Sequence, residues 1–269
     1  MPTAHVNGVT LYYEEHGAGP NLVLIEGLGY HSWMWYRQMP AFSHHFRTLL
    51  YDNPGVGRSD KPRGPYNHIQ NADDLAGLLD YLEWDRTHVL GVSMGGFIAL
   101  EFALKYPRRL NRLVLVATGF GGANMVQVPP DAMRALIPDP EMTPEERVRA
   151  NMPIAFGNPG WPRDNAAEFE EIVRWRLENP QPVEAAVAQA QAGLSFDVEG
   201  RLGEIEAPTL VIAGTADRVV PPKNAELLAE RIRGARLDLV SGAGHLVFIE
   251  EANRFNQDVV RFLSEGERA

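Results

Sequence analysis

The 269-residue chain carries 25 basic and 35 acidic residues, giving a formal net charge of −10, and it contains no cysteine. The acidic balance argues against nucleic acid or an anionic membrane surface as partner, because both favour a basic protein surface, and the lack of cysteine excludes disulfides, thiolate metal sites and cysteine nucleophiles. No apolar run approaches the ~20 residues of a membrane span, and the first residues lack the pattern of a secretion signal, so a cytoplasmic protein is expected.

Short apolar runs alternate with amphipathic stretches in the outer parts of the chain. The continuous apolar run 22–25 is typical of a strand buried on both faces, whereas the apolar spacing over 69–84 predicts a helix. This alternation predicts a mostly parallel sheet with helices on both faces, an α/β fold. Strands are predicted at 9–14, 22–25, 46–51, 87–92, 110–117, 208–213 and 237–240, and helices at 69–84, 94–106, 224–232 and 247–263.

Residues 121–200 have a different pattern. They hold no convincing strand, and prolines divide them into helical segments near 130–137, 144–156, 164–178 and 183–192. Thr143 followed by Pro144 and two glutamates is typical of a capped helix start. We interpret the segment as a helical lid inserted between two core parts, 1–120 and 201–269. An independent helical domain is the alternative, although 80 residues form only a small core.

The strongest chemical signal is the sequence Gly-Val-Ser-Met-Gly at 91–95, which follows a predicted strand and opens a predicted helix. This context is the one that a nucleophile elbow requires. The sharp turn holds Ser93 in a strained conformation with its hydroxyl projecting from the sheet edge, and glycine two residues to either side avoids a clash. A phosphate-binding helix start is the alternative interpretation.

A serine nucleophile needs a base, and the base needs an acid that orients it. His245 lies on a small-residue loop after the strand at 237–240, and Asp217 follows the strand at 208–213. Both therefore leave the carboxyl edge of the sheet, as Ser93 does, and ligands bind at that edge. The other seven histidines and the rival acid Asp52 are interpreted as structural or solvated.

Two backbone amides are needed to stabilise the oxyanion of an acyl-transfer intermediate. Met94, directly after the nucleophile, is predicted to supply one. Leu28, in the glycine-rich loop after the strand at 22–25, is predicted to supply the other. Candidate substrate contacts come from this loop, from the lid and from the loop of the acid: Gly29, Tyr30, Trp33, Met133, Ile137, Phe156 and Val219.

Together the oxyanion loop at 26–29, the glycine-rich segment 52–59, the elbow, Asp217 and His245 resemble the α/β-hydrolase superfamily over nearly the whole chain. The resemblance implies an eight-stranded, mostly parallel sheet with a helical lid after the sixth strand. Within the superfamily the chain is similar to lidded carboxylesterases and 3-oxoadipate enol-lactonase-like proteins. It departs from the usual pattern at Glu26, where relatives carry histidine, and at Pro54, where arginine is common.

These observations predict a serine hydrolase that cleaves carboxylic esters of short to medium acyl chain through an acyl-enzyme, with no cofactor and no metal. A small apolar ester or lactone is the expected substrate. Enol-lactone hydrolysis, carbon–carbon bond hydrolysis and a small-molecule receptor with a slow triad are the alternatives. Glu26 is expected to accept hydrogen bonds from backbone amides or from Arg58, or to be buried as the neutral acid, and so to hold the oxyanion loop.

Overall fold

A computed structural model describes residues 2–136, 139 and 141–266 of the chain. Eight strands form one sheet in the order β1-β2-β4-β3-β5-β6-β7-β8. The first two pairs, β1 with β2 and β2 with β4, are antiparallel, and all other neighbours are parallel. The predicted fold class is therefore confirmed. The strands are β1 (Thr3–Val6), β2 (Val9–His16), β3 (Asn21–Ile25), β4 (Arg47–Tyr51), β5 (Thr87–Val92), β6 (Leu110–Val116), β7 (Thr209–Gly214) and β8 (Arg236–Val240).

The sheet is covered on both faces, each by its own apolar core. Alternate residues of a strand face opposite cores: Val23 lies in one and Leu24 in the other. Helices α2, α3 and α9 pack on the first face, and α1 and α11 on the second. The helices of the core parts are α1 (Met39–His45), α2 (His68–Tyr81), α3 (Met94–Lys105), α9 (Lys223–Arg231), α10 (Val247–Glu250) and α11 (Ala252–Leu263).

Two core elements differ from the expectation. The edge strand β1 was not predicted, and it pairs with β2 through a two-residue turn in which Asn7 and Gly8 both have positive φ. The predicted continuous helix over 247–263 is wrong, because the chain leaves helical geometry at Glu251 and divides into α10 and α11.

Between β6 and β7 the described residues form five α-helices, two short 3-10 helices and no strand beyond an isolated bridge between Gly121 and Asp197. We call residues 121–200 the helical insertion. It packs on the second core through Phe169, Ile172 and Val173. Its service as a movable lid, and the division into 1–120, 121–200 and 201–269, stay predictions. Its helices are α4 (Pro130–Leu136), α5 (Pro144–Asn151), α6 (Trp161–Asp164), α7 (Ala166–Glu178) and α8 (Val183–Leu194).

Among the helices of the described residues, none combines the length and the apolar character needed to cross a membrane.

Candidate active site

Ser93 occupies the turn between β5 and α3, with φ of 55° and ψ of −120°. Such a left-handed φ is strained for a residue with a side chain, and surrounding contacts must hold it. The Ser93 amide donates to the carbonyl of Val116 at 2.9 Å, and the Thr118 hydroxyl donates to the carbonyl of Ser93 at 2.7 Å. A Cβ added to Gly91 would overlap the backbone of Gly95. The turn has the conformation predicted for a nucleophile elbow.

The predicted base and acid form a buried pair. Nδ1 of His245 lies 2.9 Å from Oδ2 of Asp217, and both side chains are almost inaccessible to solvent. Oδ1 of the same carboxylate accepts from the amides of Val219 at 2.8 Å and Val220 at 2.9 Å, which fixes its orientation. Because a carboxylate oxygen accepts, this contact favours the tautomer with the proton on Nδ1, which leaves Nε2 as the nitrogen that can accept a proton.

The predicted oxyanion loop turns back beside the nucleophile. The amide of Tyr30 donates to the carbonyl of Gly27 at 3.2 Å, and Gly29 adopts φ of +70° at the turn. Gly27 lies against the nucleophile, since a Cβ added there would lie 3.2 Å from Cβ of Ser93. Leu28, at the tip, lines the same cavity as Ser93.

The second predicted donor, Met94, is the first residue of α3. Its amide belongs to the first turn, where no preceding residue of the helix can accept it, and it lies at the positive end of the helix dipole. Its side chain is buried, and Met94 is not among the residues that line the described cavity. The role predicted for it therefore rests on the backbone amide alone.

Glu26, the first residue of the oxyanion loop, is fully buried. Its Oε1 accepts from the backbone amide of Asn53 at 2.8 Å and from the side-chain amide of the same residue at 3.0 Å. Burial, and then the nearby carboxylate of Asp52, raise the pKa of the Glu26 carboxyl well above its ordinary value. The predicted amide acceptor is thus present, and the raised pKa favours the neutral form of the carboxyl, whereas the neutral acid itself stays a prediction. Arg58 is not its partner, because that guanidinium lies over Tyr12 and pairs with Glu14.

A cavity of about 230 Å³ lies between this edge of the sheet and the helical insertion. Ser93 and His245 both line it, as do three of the predicted substrate contacts, which are Gly29, Tyr30 and Val219. The structure thus brings the predicted nucleophile, the predicted base and the predicted oxyanion loop around one space.

Three other predicted contacts do not line the described cavity. Trp33 stacks on Trp175 of α7, with ring centres 5.6 Å apart. Phe156 is fully buried against Trp161, with ring centres 4.2 Å apart and nearly parallel planes. The Trp33 ring thus packs against the insertion, and the Phe156 ring packs within it. Met133 lies on α4, from which Ala135 reaches the cavity instead. The predicted contact Ile137 lies outside the described residues.

Sequence reasoning missed two arginines that line the cavity, Arg147 of α5 and Arg176 of α7. Nη1 of Arg176 donates to the carbonyl of Gly29 at 2.8 Å, and its guanidinium lies 4.3 Å from the ring centre of Tyr30. A signal for it existed in the sequence. Arg176 continues the buried stripe of α7 at three and four residues beyond Val173 and Ile172, so it had to point inward.

No group of three or more histidine, aspartate or glutamate side chains within residues 2–136, 139 and 141–266 is arranged to hold a metal ion. The groups that approach one another at this edge are a serine, an imidazole–carboxylate pair and backbone amides. That set can carry out acyl transfer by nucleophilic attack, general base catalysis and oxyanion stabilisation.

The comparisons with known proteins agree with this geometry. A family model described as the alpha/beta hydrolase fold matches residues 20–252. The provisionally named carbamate hydrolase RutD of Azorhizobium caulinodans is 33% identical, with 98% of this chain and 99% of that protein covered. The 2-hydroxy-6-oxo-6-phenylhexa-2,4-dienoate hydrolase of Comamonas testosteroni is 32% identical, with 95% of this chain and 91% of that protein covered. The solved structure of the enol-lactonase from Burkholderia xenovorans LB400 is 33% identical and gives a TM-score of 0.85, with 98% of this chain and 100% of that chain covered. The chain therefore belongs to the α/β-hydrolase superfamily and, within it, to the enol-lactonase-like branch.

Proposed function

We propose that this hydrolase cleaves carboxylic esters or lactones through an acyl-enzyme, and that its substrate carries a carboxylate in addition to the scissile carbonyl. The observation that carries the reaction class is the shared cavity, which is lined by Ser93, by the Asp217-paired His245 and by Leu28. A serine, a carboxylate-paired imidazole and a backbone loop around one cavity support acyl transfer as the reaction.

In the proposed reaction, Nε2 of His245 accepts the proton of the Ser93 hydroxyl as its oxygen attacks the carbonyl carbon. Asp217 holds the imidazole by the 2.9 Å contact to Nδ1 and stabilises the imidazolium that forms. The amides of Leu28 and Met94 stabilise the oxyanion. His245 then protonates the leaving alkoxide, and water repeats the sequence on the acyl-enzyme to release the acid.

The cavity lining supports the substrate class. Apolar side chains that include Met152, Ile154 and Leu177 form walls for a short carbon chain, in keeping with the predicted apolar acyl group. The two guanidiniums depart from that expectation. Each is tied by one nitrogen to a backbone carbonyl, Arg176 to Gly29 at 2.8 Å and Arg147 to Asp139 at 3.0 Å. Among residues 2–136, 139 and 141–266, these hydrogen bonds leave several donors of each guanidinium for a ligand. A carboxylate is the small anion that best matches a guanidinium.

Carbon–carbon bond hydrolysis is the second candidate. The relative of Comamonas testosteroni is named for a dienoate, itself a carboxylate, and it shares 32% identity with this chain. A triad beside a carboxylate-binding arginine also fits a ketone substrate of that kind. Substrate assays must separate the two reactions, because the same residues can serve both.

The test compares pairs of activated esters that differ only in whether the end of the acyl chain is methyl or carboxylate, alongside enol-lactones and dienoate ketones. Charge-assisted hydrogen bonds of about 1.5–3 kcal/mol predict a preference of roughly 10- to 100-fold in kcat/KM for the anionic ester. The variants Arg147→Met and Arg176→Met should lose this preference. Arg174→Met is the matched control, since that arginine lies on the same helix but pairs with Glu171 and Glu178 at the surface.

Equal rates for neutral and anionic esters would contradict the substrate class while leaving the reaction class intact. Turnover of the dienoate ketones alone would favour carbon–carbon bond hydrolysis. Negligible turnover of every compound, with Ser93 acylated only once, would instead indicate a receptor.

A further inference from the structure

Glu250, at the end of α10, binds two separate segments of backbone with one carboxylate. Its Oε2 accepts from the amide of Gly244 at 2.7 Å. Both oxygens accept from the amide of Gly157, at 3.0 and 3.1 Å, and Oε1 also receives the amide of Asn158 at 3.4 Å. Gly244 directly precedes the base His245, whereas Gly157 and Asn158 belong to the helical insertion. The carboxylate therefore joins the histidine loop to the insertion.

The two segments also touch through their backbones. A Cβ added to Gly244 would overlap the amide of Gly157, and one added to Gly157 would overlap the carbonyl of Gly242. Next to this contact, the amide of Leu246 donates to the carbonyl of Ala155 at 3.0 Å. Only glycine at 157 and 244 allows this approach, so the histidine loop has no room to shift toward the insertion.

The opposite side of the histidine loop is held by the loop of the acid. The amide of Gly242 donates to the hydroxyl of Thr215 at 2.9 Å, and the amide of Ala216 donates to the carbonyl of Ala243 at 2.9 Å. His245 is thus carried on a loop that is fixed to the Asp217 loop on one side. On the other side, Glu250 and the glycine contact fix it to the insertion.

We propose that Glu250 is a positioning residue for His245, and that the helical insertion is the anchor from which it acts. The proposal rests on the proposed function in one respect, since it takes His245 as the base. The Gly244 peptide adjoins the His245 backbone, so the bond to Glu250 sets the direction in which the imidazole leaves the loop. Without it, the ring can rotate away from Ser93 while keeping its contact with Asp217.

The decisive variant is Glu250→Gln, which preserves shape and removes the second acceptor. Three amides converge on two oxygens, so any orientation of a glutamine side chain points its own N–H groups at a backbone N–H. Glu251→Gln is the matched control, because that neighbouring glutamate is exposed to solvent. The readouts are the rate at which a fluorophosphonate labels Ser93, kcat and KM on the ester substrate, and the melting temperature.

We expect Glu250→Gln to label Ser93 and to turn over ester about 10- to 100-fold more slowly than wild type, as is typical of a misplaced catalytic group, with KM unchanged within about twofold. The control should match wild type. A wild-type labelling rate in Glu250→Gln would overturn the proposal, as would a fall in melting temperature with labelling per folded molecule unchanged. Should the glutamine variant not fold, Glu250→Asp, whose shorter carboxylate keeps the charge, is judged by the same criterion. Labelling needs no substrate, so an error in the proposed substrate class leaves this test valid.

Discussion

Replacing Glu26 tests whether a buried neutral acid holds the oxyanion loop. In Glu26→Ala, the two donors of Asn53 that now reach Oε1 at 2.8 and 3.0 Å lose their acceptor inside the protein. An unsatisfied buried donor costs about 1–3 kcal/mol, so the variant should lose roughly 2–6 kcal/mol of stability before any relaxation. Glu26→Gln keeps an oxygen at the same position and should lose much less.

The same carboxyl makes a prediction about pH. Its folded-state pKa is raised above the ordinary value of 4.5. At a pH between these two pKa values, the folded chain therefore retains a proton that the unfolded chain has released. The contribution of this group to stability is therefore complete below about pH 4.5 and is lost as the pH rises through the folded-state pKa, at a slope of up to ~1.4 kcal/mol per pH unit. Glutamine does not titrate, so the stability of Glu26→Gln relative to wild type should increase with pH across that window.

The assay combines chemical denaturation from pH 4 to 8 with kcat on the ester substrate, using the exposed Glu206→Gln as control. Because Glu26 begins the loop that carries the Leu28 amide, Glu26→Ala should lower kcat about tenfold or more with little change in KM, since donors in an oxyanion hole act on the transition state. Wild-type kcat and stability in the alanine variant would refute the holding role. A stability difference between the glutamine variant and wild type that is independent of pH would refute the neutral acid.

Two further substitutions separate catalysis from packing. Ser93→Ala should lower turnover by about 10⁶ in a steady-state ester assay, leaving what the oxyanion hole and binding achieve with water, and retention of more than a few per cent would contradict the mechanism. Phe156→Ala should cost about 3–5 kcal/mol in a denaturation experiment with little change in preference for acyl-chain length, because the ring stacks on Trp161 away from the cavity. A changed preference for acyl-chain length with wild-type stability would instead indicate that Phe156 contacts the substrate.

The centre of the sheet was predictable because its strands are buried on both faces. A continuous apolar run such as that at 22–25 is typical of such a strand, and the elbow and the Asp217 loop each follow a strand whose residues are all buried. The edge strand β1 was not predicted because it has only four residues, and these alternate between exposed and buried positions. The dipeptide Asn7-Gly8 is nevertheless a strong signal for a β-hairpin, so β1 could have been predicted from the sequence.

The cavity walls were harder to predict than the catalytic groups. A catalytic side chain is marked by its local turn, whereas a wall residue is defined by which face of a helix meets the sheet. Met133 and Phe156 were chosen as apolar residues of the insertion, but the choice ignored helical phase and the competition for partners such as Trp161. Arg176 was overlooked because a charged residue on a helix usually faces solvent.

The helical insertion contacts both loops on which the proposed chemistry depends. Arg176 donates to the carbonyl of Gly29, next to the Leu28 amide, and the Gly157 segment is bound through Glu250 to the loop of His245. An insertion that merely covered the cavity would need neither contact. It follows that any opening wide enough to part Arg176 from Gly29 would remove a cation from the cavity and release the oxyanion loop in the same movement. The proposed catalytic geometry therefore depends on the sheet edge and the insertion together.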